Sequence, residues 1–135
     1  MAMHVLRGSL LAGLFVLGAG TAAAQQATGV LQVDAAMAKR GQSLFQSRGC
    51  IGCHSIGKGK RSGPDLAGVT QHRDLDWLRR WLKNPTLMFE TDSTAKALLA
   101  QYNNTRMPNV RLKDDEVEAL LHYMQQESDK AAGSH

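Results

Sequence analysis

The pentapeptide Cys50-Ile51-Gly52-Cys53-His54 constrains this chain more than any other feature. Two cysteines separated by two residues and followed at once by histidine have the spacing of a c-type haem attachment site. The two sulfurs can reach the two vinyl groups of one porphyrin and form thioethers, and His54 then lies beneath the iron as its proximal ligand. We therefore predict one covalently attached haem c, bound through Cys50 and Cys53, with its iron bound by His54.

Two other uses of such a motif are a redox-active dithiol and half of a zinc site. A redox dithiol is expected near a βαβ pattern, and a zinc site needs further cysteine or histidine residues at matching spacing. The chain has neither pattern, and both of its 2 cysteines lie in the pentapeptide. Haem c and its iron are therefore the predicted cofactors.

Residues 1–24 have the features of a secretory signal peptide. His4 and Arg7 form a short polar start, Leu10 to Ala19 is apolar, and Ala22-Ala23-Ala24 offers a small-residue cleavage site. The apolar run is shorter than the roughly 20 residues that a membrane-spanning helix needs. We expect cleavage and export, to the periplasm in a Gram-negative bacterium, with no membrane span in the mature chain. Because the charge-free stretch continues beyond the apolar run, an uncleaved N-terminal anchor is the alternative.

The rest of the chain is long enough for one small domain. We predict a linker over residues 25–33, a domain over 34–127 and a disordered polar tail over 128–135. The domain is predicted to be all-α, because no strand alternation or internal repeat occurs in it. Gly41, inside the first helix, costs about 1 kcal/mol relative to alanine. It indicates a helix crossing closely over it, with a tolerated surface glycine as the alternative. Four helices are predicted. The first follows the N-cap Asp34, and the second runs from Leu75 to Lys83 with Asp74 or Asp76 as its N-cap. The third runs from Thr94 to Tyr102 with Ser93 as its N-cap, and the last begins at Lys113.

Two segments after the pentapeptide are expected to complete the haem site. The carbonyl of Pro64, in a turn, is a candidate acceptor for the second ring nitrogen of His54, which needs such a partner; an ordinary surface turn is the alternative.

An apolar stripe at helical spacing usually packs into the hydrophobic core. Here the porphyrin is the largest apolar surface to cover, so at least one tryptophan is expected against it, with its N–H on a propionate or a carbonyl. The stripe consists of Trp77, Leu78, Trp81 and Leu82.

Met107 is the main candidate for the second iron ligand. The proline that follows keeps its backbone extended, and the 53 residues from His54 are enough to reach the other face of the porphyrin. Met88 is the next candidate, although it also fits an apolar helical face, and His72 and His122 are the bis-histidine alternatives. Iron bound by His and Met is six-coordinate and suited to electron transfer, whereas His alone leaves an open position.

Together these motifs resemble those of the bacterial class I cytochromes c. The resemblance implies an all-α fold of about four to five helices around one haem, with the terminal helices crossing near Gly41 and Phe45. It implies ligation by His54 and Met107, a bond from His54 to the Pro64 carbonyl, and haem contacts from Leu66, Trp81 and Leu82. The motifs that carry it are Gly41-x-x-Leu44-Phe45, Cys50 to His54, Gly63-Pro64-Asp65-Leu66, Asn84-Pro85, Met107-Pro108 and Leu120 to Met124.

The segment between Asn84-Pro85 and Met107 is longer than in the compact members of that family. Tyr102, Asn103 and Asn104 therefore either hydrogen-bond the Met107 sulfur or a propionate, or simply form the turn. Arg73 as a propionate partner is equally open.

Several kinds of cytochrome c share these features. The stretch from Trp77 to Pro85, with Met107-Pro108-Asn109, resembles the haem domains of nitric oxide reductase subunits and small cytochromes that donate electrons to terminal or denitrification reductases. The haem subunit of sulfur-oxidising complexes shares the Gly-Pro-Asp-Leu and Met-Pro features.

The charge distribution suggests a partner. The net charge of +4 falls to +3 when Arg7 leaves with the signal peptide, and eight basic side chains against three acids lie over residues 48–83. A positive surface beside the haem edge would favour redox partners with an acidic docking surface, with plain solvated charge as the alternative. Nucleic acid is not an expected partner, because the chain has no platform of aromatic and basic residues and is predicted to be exported.

We predict an exported, monomeric mono-haem electron carrier of the respiratory chain, and not an enzyme. The first alternative is a cytochrome c subunit fixed in a larger complex, similar to those of nitric oxide reductases or sulfur-oxidising systems. The second is a haem sensor or enzyme with an open sixth position.

Overall fold

The computed structural model describes residues 31–133, which form seven helices and one isolated β-bridge, between Ser55 and Asp65. Two of the helices are single turns, so five longer ones make up most of the domain, and the prediction of an all-α fold is confirmed. The helices are α1 (Ala35–Ser47), α2 (Cys50–Cys53), α3 (Val69–His72), α4 (Leu75–Lys83), α5 (Pro85–Thr91), α6 (Ser93–Gln101) and α7 (Asp114–Ala132).

The predicted signal peptide, residues 1–24, and most of the predicted linker, 25–33, lie outside the described residues. Of that linker, Leu31 packs against the main core. Within the described range, no helix is both long and apolar enough to span a membrane.

Helices α1 and α7 cross at Gly41, as predicted. A Cβ atom at this position would lie 2.0 Å from the carbonyl oxygen of Ala119, so only glycine permits the observed approach. One turn further along α1, the ring of Phe45 contacts that of Tyr123, with 5.5 Å between centroids. The crossing therefore fixes the two terminal helices against each other at the level of their backbones.

Ion pairs tie the start of α7 to α1 and its C-cap. Glu116, which is buried, accepts from the backbone N–H of Lys113 at 2.8 Å and from the Arg48 guanidinium at 2.6 Å. These two donors, first the Lys113 N–H and then Arg48, lower the pKa of Glu116. On the outer side, Arg40 contacts Asp115 at 2.6 Å.

Side-chain caps define most of the helix starts. Asp34 caps α1, as predicted, and Asp74, one of the two predicted candidates, caps α4; each accepts from a backbone N–H at 2.8 Å. Asn84 ends α4 and caps α5 by accepting from Leu87. The prediction of Ser93 as the cap of α6 is wrong by one residue, because the carboxylate of Asp92 accepts from the Ala95 N–H.

The predicted tail over residues 128–135 begins too early. Helix α7 continues to Ala132, and Ser128 is buried. Its hydroxyl accepts from the Gly68 N–H at 2.8 Å and donates to the Met124 carbonyl at 2.7 Å. These contacts with the loop before α3 keep a polar segment helical. Of the predicted tail, only residues 134 and 135 lie outside the described residues.

Two apolar clusters form the core. The main cluster joins α1, α4 and α7, and the smaller cluster consists of Met88, Phe89 and Ala95 on α5 and α6. Trp77, Trp81 and Met107 pack against both clusters. The two tryptophans and the methionine therefore lie at the junction between the clusters.

The Gly41 crossing leads to a stability prediction. Gly41→Ala gains helix propensity, but its methyl group overlaps the Ala119 carbonyl, so we expect a net loss of about 1–3 kcal/mol in the free energy of unfolding. Urea titration of the haem-loaded protein measures it. Ser43→Ala, at an exposed site on the same helix, should leave stability within about 0.5 kcal/mol of wild type. Equal stability of the two variants would contradict the close crossing.

Candidate functional site

A cavity of about 330 Å³ lies beside the main core, and most of its walls are apolar. Leu78 and Leu82 of α4, together with Leu120 and Met124 of α7, contribute to these walls. All eight residues predicted from the sequence to contact the haem line this cavity, namely Cys50, Cys53, His54, Pro64, Leu66, Trp81, Leu82 and Met107. The fold thus brings together residues that are up to 57 positions apart in the chain.

The pentapeptide forms the single-turn helix α2, which follows directly after α1 and Gly49. Neither cysteine forms a disulfide; Cys50 is partly buried and Cys53 is exposed. Burial raises the pKa of the Cys50 thiol, and the neighbouring Cys53 adds to this effect. The turn places both thiols and His54 along one cavity, and the His54 N–H closes the turn on the Cys50 carbonyl at 2.9 Å.

His54 is buried and its ring is held by backbone groups. Its Nδ1 lies 2.9 Å from the carbonyl oxygen of Pro64, which can only accept, so Nδ1 carries the proton and donates. In the neutral imidazole, Nε2 then has a free lone pair for a metal. The predicted hydrogen bond to Pro64 is thereby confirmed. Gly63 closes the other side of the ring, because a Cβ atom there would lie 2.6 Å from Cε1 of His54.

The loop between the pentapeptide and Pro64 is organised by Asp65. Its carboxylate accepts from the backbone N–H groups of Gly57, Gly59 and Ala67 at 2.8, 2.5 and 2.9 Å. Burial by itself would raise the pKa of Asp65, but these donors outweigh it and hold the pKa below its ordinary value. Because Pro64 precedes Asp65, the same bonds fix the carbonyl that orients His54.

Met107 lies on the non-helical segment between α6 and α7 and is partly buried. The indole N–H of Trp81 donates to its sulfur at 3.2 Å. The sequence suggested Tyr102, Asn103 or Asn104 as donors to this sulfur, and a propionate or carbonyl as the acceptor for an indole. The donor observed is Trp81, two residues before the end of α4. Asn103 and Asn104 instead take left-handed backbone angles, with φ of 54° and 59°, in the turn after α6.

The alternative iron ligands differ in position. Met88 is buried in the smaller core cluster and does not line the cavity. His122 does not line it either, and its Nδ1 accepts from the backbone N–H of Asp34 at 3.1 Å. His72 lines the cavity, but its side chain is exposed. Met107 combines a place in the cavity wall with partial burial.

The donor set and the walls of this cavity fit a haem. Two thiols and an imidazole nitrogen lie within one helical turn, a thioether sulfur lies across the fold, and the walls between are apolar. Two guanidinium groups, of Arg73 and Arg106, also line the cavity, and each lies over an aromatic ring, Trp77 at 5.5 Å and Phe89 at 5.2 Å. These cations are suited to the carboxylates of a porphyrin.

The sequence pattern of the cytochrome c family matches residues 38–128. The chain belongs to the cytochrome c family. Its fold is similar to that of a cytochrome c from Rhodothermus marinus, with 30% identity, a TM-score of 0.68, and coverage of 73% of this chain and 83% of that one. It is also similar to a cytochrome c domain from Pseudomonas putida, with 44% identity, a TM-score of 0.60, and coverage of 67% and 89%. Among curated proteins, no match was found.

Membership of this family means that the chain carries covalently attached haem c with iron and is a haem protein of the electron-transfer type. When bound, the haem supplies a reversible one-electron couple.

Sequence reasoning missed part of the cavity wall in this cytochrome c. Phe89, Leu98 and Leu99 of α5 and α6 line the cavity, as does Arg106. They lie in the long segment before Met107, where apolar residues show no clear helical stripe. The apolar pair Leu98-Leu99 within one short helix was the available signal.

Asp65 gives a pH-dependent prediction. Asp65→Asn replaces one accepting oxygen with an NH₂ group, so we expect the variant to be less stable than wild type at neutral pH. Because the pKa of Asp65 is lowered in the folded protein, its contribution is present above the unfolded-state pKa and is lost as the pH falls through the folded-state pKa. Urea titrations of the haem-loaded proteins from neutral to acid pH should show the difference shrinking.

Glu90→Gln is the control, because it removes the same charge from an exposed position on α5. It should leave stability nearly unchanged across the series. A stability difference between wild type and Asp65→Asn that stays constant into acid would contradict the ionised role of Asp65.

Proposed function

We propose that this cytochrome c is an exported mono-haem electron carrier of a respiratory chain, with iron bound by His54 and Met107. The observation that carries the proposal is the shared cavity of Cys50, Cys53, His54 and Met107, with the imidazole and the thioether each held by a hydrogen bond. A closed six-coordinate iron passes single electrons and offers no position to a substrate.

Each group has a defined task in this proposal. The Cys50 and Cys53 sulfurs would hold the porphyrin through thioethers. His54, with its proton fixed on Nδ1 by the Pro64 carbonyl, would present Nε2 to the iron. Met107 would close the opposite position, while leucines such as Leu82 exclude water. In this proposal no cavity side chain acts as an acid, base or nucleophile. The chain positions the haem and sets its reduction potential through the ligands and the low-dielectric surroundings.

Met107→Ala tests the ligation. We expect the variant to keep its covalent haem, because the thioethers form at the pentapeptide, and to lose the long-wavelength Met-to-iron charge-transfer band of the ferric form. Its ferrous form should bind CO at once. Met88→Ala is the matched control and should keep the band. An unchanged spectrum in Met107→Ala, or CO binding by the wild-type protein, would favour an open sixth position and a sensor or enzyme instead.

The positive surface is smaller than the sequence count suggests. Three of the basic side chains predicted to form it are engaged in ion pairs with α7: Arg48 with Glu116, Arg79 with Glu118 and Lys83 with Asp114. The loop that follows the pentapeptide carries Lys58, Lys60 and Arg61, which are all exposed and form no ion pair within the described residues.

This loop supports the proposal of acidic redox partners. The Arg61 guanidinium donates to the Ile51 carbonyl at 2.9 Å, so its charge lies next to the attachment turn, where Ile51 is 47% exposed. An exposed apolar side chain bordered by cations on this protein would fit a partner whose docking surface has an acidic rim. We also propose that the carrier acts as a monomer, which binds each redox partner only for the transfer of an electron.

The loop charges give a kinetic prediction. We expect Lys58→Glu/Lys60→Glu to slow the oxidation of the ferrous protein by ferricyanide, an anion, by up to about tenfold at low salt, with little difference at high salt. Stopped-flow absorbance measures the rates. Lys39→Glu/Lys96→Glu is the control, because it changes the net charge equally on α1 and α6. Equal slowing in both variants would show that only net charge matters.

A cytochrome c subunit fixed in a larger complex is the remaining alternative. It predicts that the haem protein of native cells fractionates with membranes or at high mass, whereas the carrier elutes as a small protein from periplasmic extract. Size-exclusion chromatography of both fractions, followed by haem absorbance, separates the two.

A further inference from the structure

The hydrogen bond on the Met107 sulfur depends on how the Trp81 ring is held. An indole N–H lies in the plane of its ring, so its direction is fixed only when the ring cannot tilt. The Trp81 ring stacks on that of Trp77, with centroids 5.3 Å apart and planes at 10°. The edge contact with Phe89, at 5.1 Å and 81°, confines it from another direction.

The Trp77 ring is held in turn by a carboxylate from the junction between α5 and α6. Its indole N–H donates to Oδ2 of Asp92 at 3.1 Å, while Oδ1 of Asp92 caps α6 by accepting from Ala95 at 2.9 Å. The guanidinium of Arg73 lies over the Trp77 ring, 5.5 Å from its centroid. Both carboxylate oxygens of Asp92 are therefore used, one for the helix and one for the tryptophan.

We propose that Asp92 and Trp77 are positioning residues for the Met107 ligand: they hold the Trp81 ring so that its N–H stays on the sulfur. This inference rests on the proposed ligation by Met107. A thioether sulfur has two lone pairs, one for the iron and one that accepts the N–H. The hydrogen bond withdraws electron density from the sulfur, which makes it a weaker donor to ferric iron and raises the reduction potential.

The proposal gives a function to the long segment before Met107. Asp92 is the residue between α5 and α6, and α5 also supplies Phe89 to the Trp81 ring. The lowered pKa of Asp92, due first to the Ala95 N–H and then to the Trp77 N–H among other donors, agrees with an ionised carboxylate at this place. The segment thus holds the tryptophan pair in place, through Asp92 on Trp77 and Phe89 on Trp81.

Asp92→Asn is the most selective variant. Asparagine caps helices about as well as aspartate, but it has only one accepting oxygen, so it cannot cap α6 and accept from Trp77 together. We expect a lower reduction potential and a shifted or broadened Met-to-iron charge-transfer band, with the haem still attached. Asp34→Asn is the matched control: it makes the same change at the cap of α1, and both signals should match those of wild type.

A double-variant cycle tests whether the effect passes through the indole N–H of Trp81. Trp81→Phe keeps a ring but removes the donor, and should lower the potential more than Asp92→Asn does. In the Trp81→Phe background, Asp92→Asn should change the potential no further. An equal further change there, or a wild-type potential and band in the single Asp92→Asn variant, would overturn the proposal.

Trp77→Phe provides a second route, because it keeps the stacked ring and the cap of α6 while removing the bond to Asp92. It should shift the potential in the same direction as Asp92→Asn, and a shift in the opposite direction or none would count against the proposal. Failure of the ligation itself is distinguishable, since the wild-type protein would then lack the charge-transfer band altogether.

Discussion

The structure depends first on the contact between the backbones of α1 and α7, where the Ala119 carbonyl occupies the space that a side chain at position 41 would need. This contact sets the distance between the two helices at which Phe45, Leu120 and Met124 can together form a wall of the cavity. Since α2 follows α1 after Arg48 and Gly49, the crossing also sets the position of the haem attachment turn relative to α7. A helix–helix contact between two residues that do not line the cavity, Gly41 and Ala119, thus helps to set where the cofactor can lie.

The two sides of the proposed iron site are held by different kinds of interaction. His54 is fixed by the backbone, through the Pro64 carbonyl and a loop whose amides converge on Asp65. Met107 is fixed by side chains, through Trp81 and the rings around it. No substitution removes the Pro64 carbonyl itself, whereas a single substitution at Trp81 removes the indole donor to Met107. The methionine side is therefore the side on which the potential of such a protein is most readily tuned.

The sequence predicted those features that have local causes. A pattern of a few residues is enough to recognise the attachment motif, the caps at Asp34 and Asp74, and the glycine at the crossing. The cap of α6 was misplaced because Asp92 and Ser93 are adjacent and both are good capping residues. In the folded chain Asp92 accepts from the Ala95 N–H and also from Trp77, a residue of another helix that no local pattern connects to it. The end of α7 was misplaced because a polar composition does not reveal that Ser128 meets Gly68. The bond from Trp81 to Met107 joins residues 26 positions apart, and no local pattern encodes its geometry.

Many of the charged side chains form ion pairs within the domain. Acids at the start of α7 attract cations from α1 and α4, as in the contacts of Glu118 with Arg79 and of Asp114 with Lys83. Exposed pairs of this kind contribute little to stability, about 0–1 kcal/mol each. Their larger consequence is electrostatic, because they neutralise most of the acidic helix end. Among the described residues, no ion pair engages the exposed loop cations Lys58, Lys60 and Arg61. They lie beside the attachment turn, where the proposed carrier would exchange its electron.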